Sequence, residues 1–252
     1  MYEPRTYRNT HTCHDIDSFT VTWKETDLWI GVDKGSVNDL MRNFVLERIV
    51  DLRSVLDGYS LTHKDFFTSH IPLFYDNSAP LPVRKMLSAT LKSGTGPLSS
   101  VAGLFAAHIG DSLREEFHLD NIIIENGGDN YILLNDIDVD MPIFAGDSSI
   151  SGKIGIRVKG GDTPVGICTS SGRFGHSFSY GKAHSVTVVS RDTILADAYA
   201  TKLCNMIRSD RDLQKTLEVA GSTPGLSGCV IIIDDQVGII GECEIIYIQA
   251  PS

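Results

Sequence analysis

Asp197 and Thr201 stand four residues apart in Ala196-Asp197-Ala198-Tyr199-Ala200-Thr201, a spacing that puts both side chains on one face of a helix. Both are hard oxygen ligands suited to a divalent cation, and the neighbouring alanines imply an open face with room for an ion. An aspartate early in a helix also favours the helix dipole with no ligand at all. A second cluster, Glu125-Asn126-Gly127-Gly128-Asp129, follows an apolar run. Its glycines expose backbone N–H groups, and its Asn and carboxylates suit ribose or ring donors. An ordinary hairpin turn has the same composition. A third cluster, Thr169-Ser170-Ser171-Gly172 followed by His176, gathers small hydroxyls and a glycine at a strand end, which suits phosphate oxygens.

Several better-known sites are excluded by single residues. Gly152-Lys153 and Gly181-Lys182 resemble the end of a phosphate-binding loop. The required earlier glycine is replaced by Asp147 and His176, and Ile154 and Ala183 stand where Ser or Thr would bind magnesium. Gly94-Thr95-Gly96 has Ser99 in place of the third glycine of a dinucleotide fingerprint. Asp136, Asp138 and Asp140 open like a calcium loop, but Met141 and Asp147 replace its glycine and its bidentate glutamate. They read as a solvated strand face. His11-Thr12-Cys13-His14 has no downstream partner pair to complete a metal site. Neither GxSxG nor HExxH occurs.

The elements that must position these residues follow from period and punctuation. Residues 18–33 alternate as a β-hairpin around Lys24-Glu25-Thr26-Asp27. Residues 36–56 switch to helical period, with Ser36 as N-cap and Gly58 as stop. Residues 62–82 are broken by Pro72, Pro80 and Pro82. A helix over 83–92 is interrupted by Ser93-Gly94-Thr95-Gly96, and Pro97 opens the next, which runs to Phe117. Its small residues Ala102, Gly103, Ala106 and Ala107 allow close approach of a strand or a ligand. Strands are expected at 121–125 and 131–134 around the Gly-Gly turn. A further hairpin is expected from 153–159 and 164–169 around Gly160-Gly161. A strand at 185–189, a helix at 192–208 and strands at 229–233 and 237–248 complete the chain. Strands and helices do not alternate, so the fold class is α+β, two-layered, with largely antiparallel sheets packed on helices.

The 252 residues, with no visible repeat or linker, fit a single domain spanning 1–252. With 22 Lys and Arg against 32 Asp and Glu, the net charge is −10, and no basic block offers a footprint for nucleic acid. No run of about 18 apolar residues is long enough to span a membrane. No export signal is visible, so a cytoplasmic location is expected. Five widely spaced cysteines without CxxC read as reduced, mostly buried thiols.

Taken in order, the clusters resemble the ApbE-like superfamily, typified by FAD:protein FMN transferase and once described as thiamine-biosynthesis lipoproteins. The likeness is closest to a cytoplasmic branch of it. It is carried by Glu25-Thr26-Asp27-Leu28, by Gly94-Thr95-Gly96-Pro97 with Val101-Ala102-Gly103, by Ser170-Ser171-Gly172, and above all by the Ser185-Val186-Thr187-Val188 strand followed by the Asp197–Thr201 helix. The resemblance implies a fold related to duplicated T-fold units that holds FAD or FMN, with Mg2+ bound by Asp197 and Thr201. It further implies that Asn126, Gly127, Gly128 and Asp129, with Glu125, and Thr169, Ser170, Ser171 and Gly172 contact the nucleotide, as would Gly94, Thr95 and Gly96.

On that resemblance the expected function is binding of a flavin or related nucleotide with a divalent cation, and cleavage or transfer at its phosphoanhydride. His176 or His184 would then be the general base. The transferase's DLGGIAKG segment has become Ser93 to Gly103, without its Asp or Lys. Its HxxDPxTG loop has become His176-Ser177-Phe178-Ser179-Tyr180-Gly181, without Asp or Pro. The alternatives are a flavin- or nucleotide-binding protein without catalysis, and a different small-molecule enzyme on the same scaffold. The expected partners are a small nucleotide ligand and a second copy in a homodimer, with no nucleic acid or membrane.

Overall fold

The computed structural model describes residues 15–173 and 179–248. Two strands, β1 (Ile16–Trp23) and β2 (Thr26–Asp33), are joined by a two-residue turn with Lys24 at a φ of 53°. Helices α1 (Asp39–Thr62), α2 (Leu81–Ser93) and α3 (Val101–Phe117) follow. Strands β3 (Ile122–Asn126), β4 (Asp129–Leu134), β5 (Val139–Pro142), β6 (Ile154–Val158), β7 (Gly161–Ser170) and β8 (Ser185–Ser190) come next. The chain continues with α4 (Thr193–Met206), α5 (Leu213–Ser222), β9 (Leu226–Ile233), β10 (Gln236–Gly241) and β11 (Ile245–Tyr247).

Eight strands form one sheet in the order β1-β2-β3-β4-β7-β8-β9-β10, and three form a second in the order β11-β6-β5. Each pairing between neighbours is antiparallel. The α+β class with largely antiparallel sheets is therefore what the chain adopts. The large sheet is apolar on both faces. Ile30, Ile122, Ile124, Val186, Val188 and Ile231 join the helices in one core. Their strand neighbours Trp29, Ile123, Val189, Val230 and Ile232 join Met141, Ile154 and Ile156 of the small sheet in another. Helices thus cover one face of the large sheet, and the small sheet packs on part of the other.

The structure departs from the sequence reading at definite places. Helix α1 is capped by Asn38, whose side chain accepts Met41 N–H at 2.9 Å, not by Ser36, and it runs through Gly58 to Thr62. Pro97 opens a single 3-10 turn, Pro97–Ser100, before α3 begins. Residues 153–169 are not a hairpin: β6 pairs with β5 and β11, while β7 pairs with β4 and β8. Period 2 marks a strand without naming its partner, and here the two strands go to different sheets. Asp140 sits on β5, held by Arg157 of β6 through bonds of 2.7 and 2.8 Å. Helix α5 was not expected. Cys168, Cys204 and Cys229 are buried free thiols and Cys243 is half-buried; Cys13 lies outside the described residues.

Candidate functional site

The end of α2, the turn after it, the start of α3 and the middle of α4 meet around a cleft of about 310 Å³. Gly94 ends α2 in the left-handed conformation, with φ at 80° and its N–H on Thr90 O. The following hydroxyls form a chain: Thr95 Oγ1 lies 2.6 Å from Ser93 Oγ and 2.6 Å from Ser99 Oγ, which donates to Gly96 O. Thr95, Gly96 and Ser99 line one wall of the cleft. Asp197 and Thr201 line the other, as their four-residue spacing on α4 predicts. Ala102, Asn205, His70 and Tyr180 complete it, the last two rings lying edge to face with centroids 5.9 Å apart.

Asp197 is buried, which corrects the expectation of an open face. Ala196, Ala198 and Ala200 are themselves buried, because small side chains let α4 lie against α2, α3 and the sheet. α3 and α4 come close at Gly103, where a Cβ would come within 2.6 Å of Thr193 O and 2.8 Å of Asp197 Cβ. There Asp197 Oδ2 accepts Gly103 N–H at 2.8 Å. Ser100 gives α3 no side-chain cap, so the aspartate of α4 takes an amide that the first turn of α3 leaves unpaired. Burial drives the Asp197 carboxyl up to about 7, against the Gly103 and Ala102 N–H groups that favour its anion. Thr201 Oγ1 has no hydrogen-bond partner among the described residues, although a helical threonine commonly bonds the carbonyl four residues back. Its hydroxyl is left for the cleft.

Asp129 is also buried, and its Oδ1 has no hydrogen-bond partner among the described residues. Burial first, then the Asp197 carboxylate and Glu125, hold it well above the usual carboxylate range, against the Cys168 thiol. Asp129 and Asp197 are therefore neighbours that cannot both ionise cheaply. Gly127 and Gly128, at φ of 68° and 102°, form the two-residue turn between β3 and β4. Gly128 N–H bonds Glu125 Oε1 at 2.9 Å and its carbonyl accepts Thr169 N–H at 3.2 Å. Asn126 Nδ2 donates to Ala102 O at 3.1 Å, tying the turn to the start of α3.

The other expected residues lie elsewhere. Thr169 Oγ1 pairs with Thr187 Oγ1 at 2.9 Å, Ser170 and Ser171 are buried, and Gly172 N–H reaches Ala183 O. None of these lines the 310 Å³ cleft. His184 is buried away from it. Its Nδ1 accepts Asp234 N–H at 3.0 Å, and its Nε2 lies 3.4 Å from Asp147 and 3.0 Å from Arg173. His176 lies outside the described residues. The sequence reading missed His70, Ser99 and Asn205. The first sits in the proline-broken stretch, where no period places a side chain, and Asn205 lies one further turn along the face of Asp197 and Thr201.

A family model described as "AbpE bacteria" matches residues 8–222. The chain belongs to this family. Its relatives include a UPF0280 protein of Methanocaldococcus jannaschii, 35% identical over 224 residues that cover 87% of this chain and 88% of that protein. Another UPF0280 protein, from Methanopyrus kandleri, is 35% identical over 230 residues, covering 89% and 90%. Among solved structures, the flavin transferase ApbE of Vibrio cholerae superposes with a TM-score of 0.60 at 13% identity, over 89% of this chain and 96% of that one. The flavinyl transferase ApbE of Pseudomonas stutzeri, in its apo form, gives 0.60 at 12% identity, over 90% and 94%. At such identities the superpositions establish the ApbE fold for this family member. Among the described residues, no helix is long and apolar enough to cross a membrane.

Proposed function

We propose that the cleft between α3 and α4 binds a flavin nucleotide, FAD first, together with Mg2+. The observation that carries this reading is the pair Asp197 and Thr201, four residues apart on α4 and lining the same cleft as Thr95 and Ser99. The donor set fits a hard divalent cation: one carboxylate, one hydroxyl without a protein partner, and the orphaned Asp129 Oδ1 behind them. Among the described residues, no three His, Cys, Asp or Glu side chains gather to hold a metal by themselves. That pattern suits Mg2+, which takes one or two protein oxygens and completes its shell with phosphates and water. When bound, the cation supplies positive charge against the phosphoanhydride oxygens.

The chain's own residues would bind and orient. The His70 and Tyr180 rings offer an aromatic rim to the flavin or adenine. Among the described residues His70 is the imidazole that lines this cleft, and it takes the place of His184 as the proton acceptor for a nucleophile attacking the phosphoanhydride. The names borne by the solved structures, flavin transferases, support transfer of a flavin group as the reaction to test first.

Incubation of the protein with FAD and Mg2+, followed by chromatography of the flavins, tests the proposal. AMP with free FMN or an FMN–protein adduct is the expected product. FAD recovered bound but intact would leave a binding protein, and no retention of FAD would refute the proposal.

A further inference from the structure

A second cleft, of about 410 Å³, opens between α2, α3 and the amino end of α4, and it shares no lining residue with the cleft of Asp197. Arg84, Lys85 and Lys92 of α2 and Arg191, just before α4, converge on it. Positions 84, 85, 88 and 92 fall on one helical face, so the convergence is built into the spacing of α2. None of the four cations makes an ion pair among the described residues, whereas Arg48, Arg53, Arg157, Lys159 and Arg173 all do. Arg84 Nε is buried there with no hydrogen-bond partner among the described residues. The four cations outnumber the cleft's two carboxylates, which hold hydrogen bonds within the protein. Asp111 accepts the Tyr131 hydroxyl at 3.0 Å, and Asp192 caps α4 through Ile194 and Leu195 N–H.

A chain with net charge −10 has a surplus of carboxylates with which to neutralise its cations. Four unpaired cations around one concavity, one with a desolvated donor, therefore form an anion site. At about 1.5 Å per residue, Lys92 stands roughly 10 Å beyond Lys85 along α2, a span that suits an extended anion more than a single phosphate. We propose that this cleft binds a small soluble molecule bearing two or more adjacent phosphates, independently of the cation site on α4.

The test is calorimetric titration of the full chain with inorganic pyrophosphate in metal-free buffer at low salt. Wild-type protein should bind, and binding should weaken as salt rises. The double variant Lys85→Gln/Arg191→Gln, altered only at exposed positions, should bind at least about tenfold more weakly with an unchanged melting temperature. Thr201→Val, in the other cleft, should bind as wild type does. Absence of pyrophosphate binding by the wild type overturns the proposal. So does equal affinity in the double variant, or a loss in Thr201→Val as large as that in the double variant.

Discussion

Asp197 Oδ2 lies 2.8 Å from Gly103 N, so a carboxylate on α4 caps the amino end of α3, 94 residues away in sequence. The same side chain faces the cleft. Its two roles are separable by substitution. Asp197→Ala should lower stability by about 1–3 kcal/mol, because it removes a cap and strands a buried N–H group. Asp197→Asn should cost less, since the amide oxygen can still accept from Gly103. Chemical denaturation of the three proteins measures this; an unchanged midpoint in Asp197→Ala would show that α3 does not depend on the aspartate.

Gly103 should tolerate no side chain. A Cβ there meets Thr193 O and Asp197 Cβ at 2.6 and 2.8 Å, so α3 and α4 would have to separate. Gly103→Ala should destabilise by about 1–3 kcal/mol, as overpacking of a closed contact does. Thermal unfolding gives the outcome, and a variant as stable as wild type would contradict the packing described.

Gly127 tests the turn between β3 and β4. With φ at 68°, alanine there should cost about 1 kcal/mol or somewhat more, while asparagine, which tolerates the left-handed region, should recover much of the loss. The ordering Gly, Asn, Ala in melting temperature is the expected result.

The metal-free protein should lose stability as pH rises. Asp129 and Asp197 have carboxyls raised in the fold, Asp197 to about 7, from an ordinary value of 3.8. Above the ordinary value the folded state binds more protons than the unfolded state, so the contribution of both is full below about pH 4 and falls as pH rises, that of Asp197 being lost through about pH 7. Asp129→Asn, which stays neutral, should flatten this slope in denaturation midpoints taken from pH 4 to 8.

Much of this arrangement was legible in the sequence, for reasons that particular residues make clear. Asp192 before an apolar period announced α4, and the spacing of Asp197 and Thr201 fixed their shared face. The alanines between them misled: a small side chain signals space only when nothing packs on it, and here α2, α3 and the sheet do. Gly160-Gly161 looked like a hairpin turn because both flanking runs alternate, yet β6 finds its partners in the small sheet. Helix α5 has a signal in the sequence, a capping box between Ser209 and Asp212 ahead of the buried Thr216, Leu217 and Ala220, but it is too short for its period to stand out. The second wall of the cleft was half visible, since the residues following Gly94 were singled out. His70 was not, because only the folded chain brings residues 67–70 beside α4.

Thr201 offers the most direct test of the central claim, that α4 holds a divalent cation and a flavin nucleotide in the cleft. Its hydroxyl has no hydrogen-bond partner among the described residues, so Thr201→Val removes a ligand atom while keeping the shape of the side chain. Calorimetric titration of FAD in the presence of Mg2+ should show affinity at least about tenfold weaker in the variant, about 1.4 kcal/mol, with a melting temperature within about 2 °C of wild type. Equal Mg2+-dependent affinity for FAD in the two proteins would contradict the account.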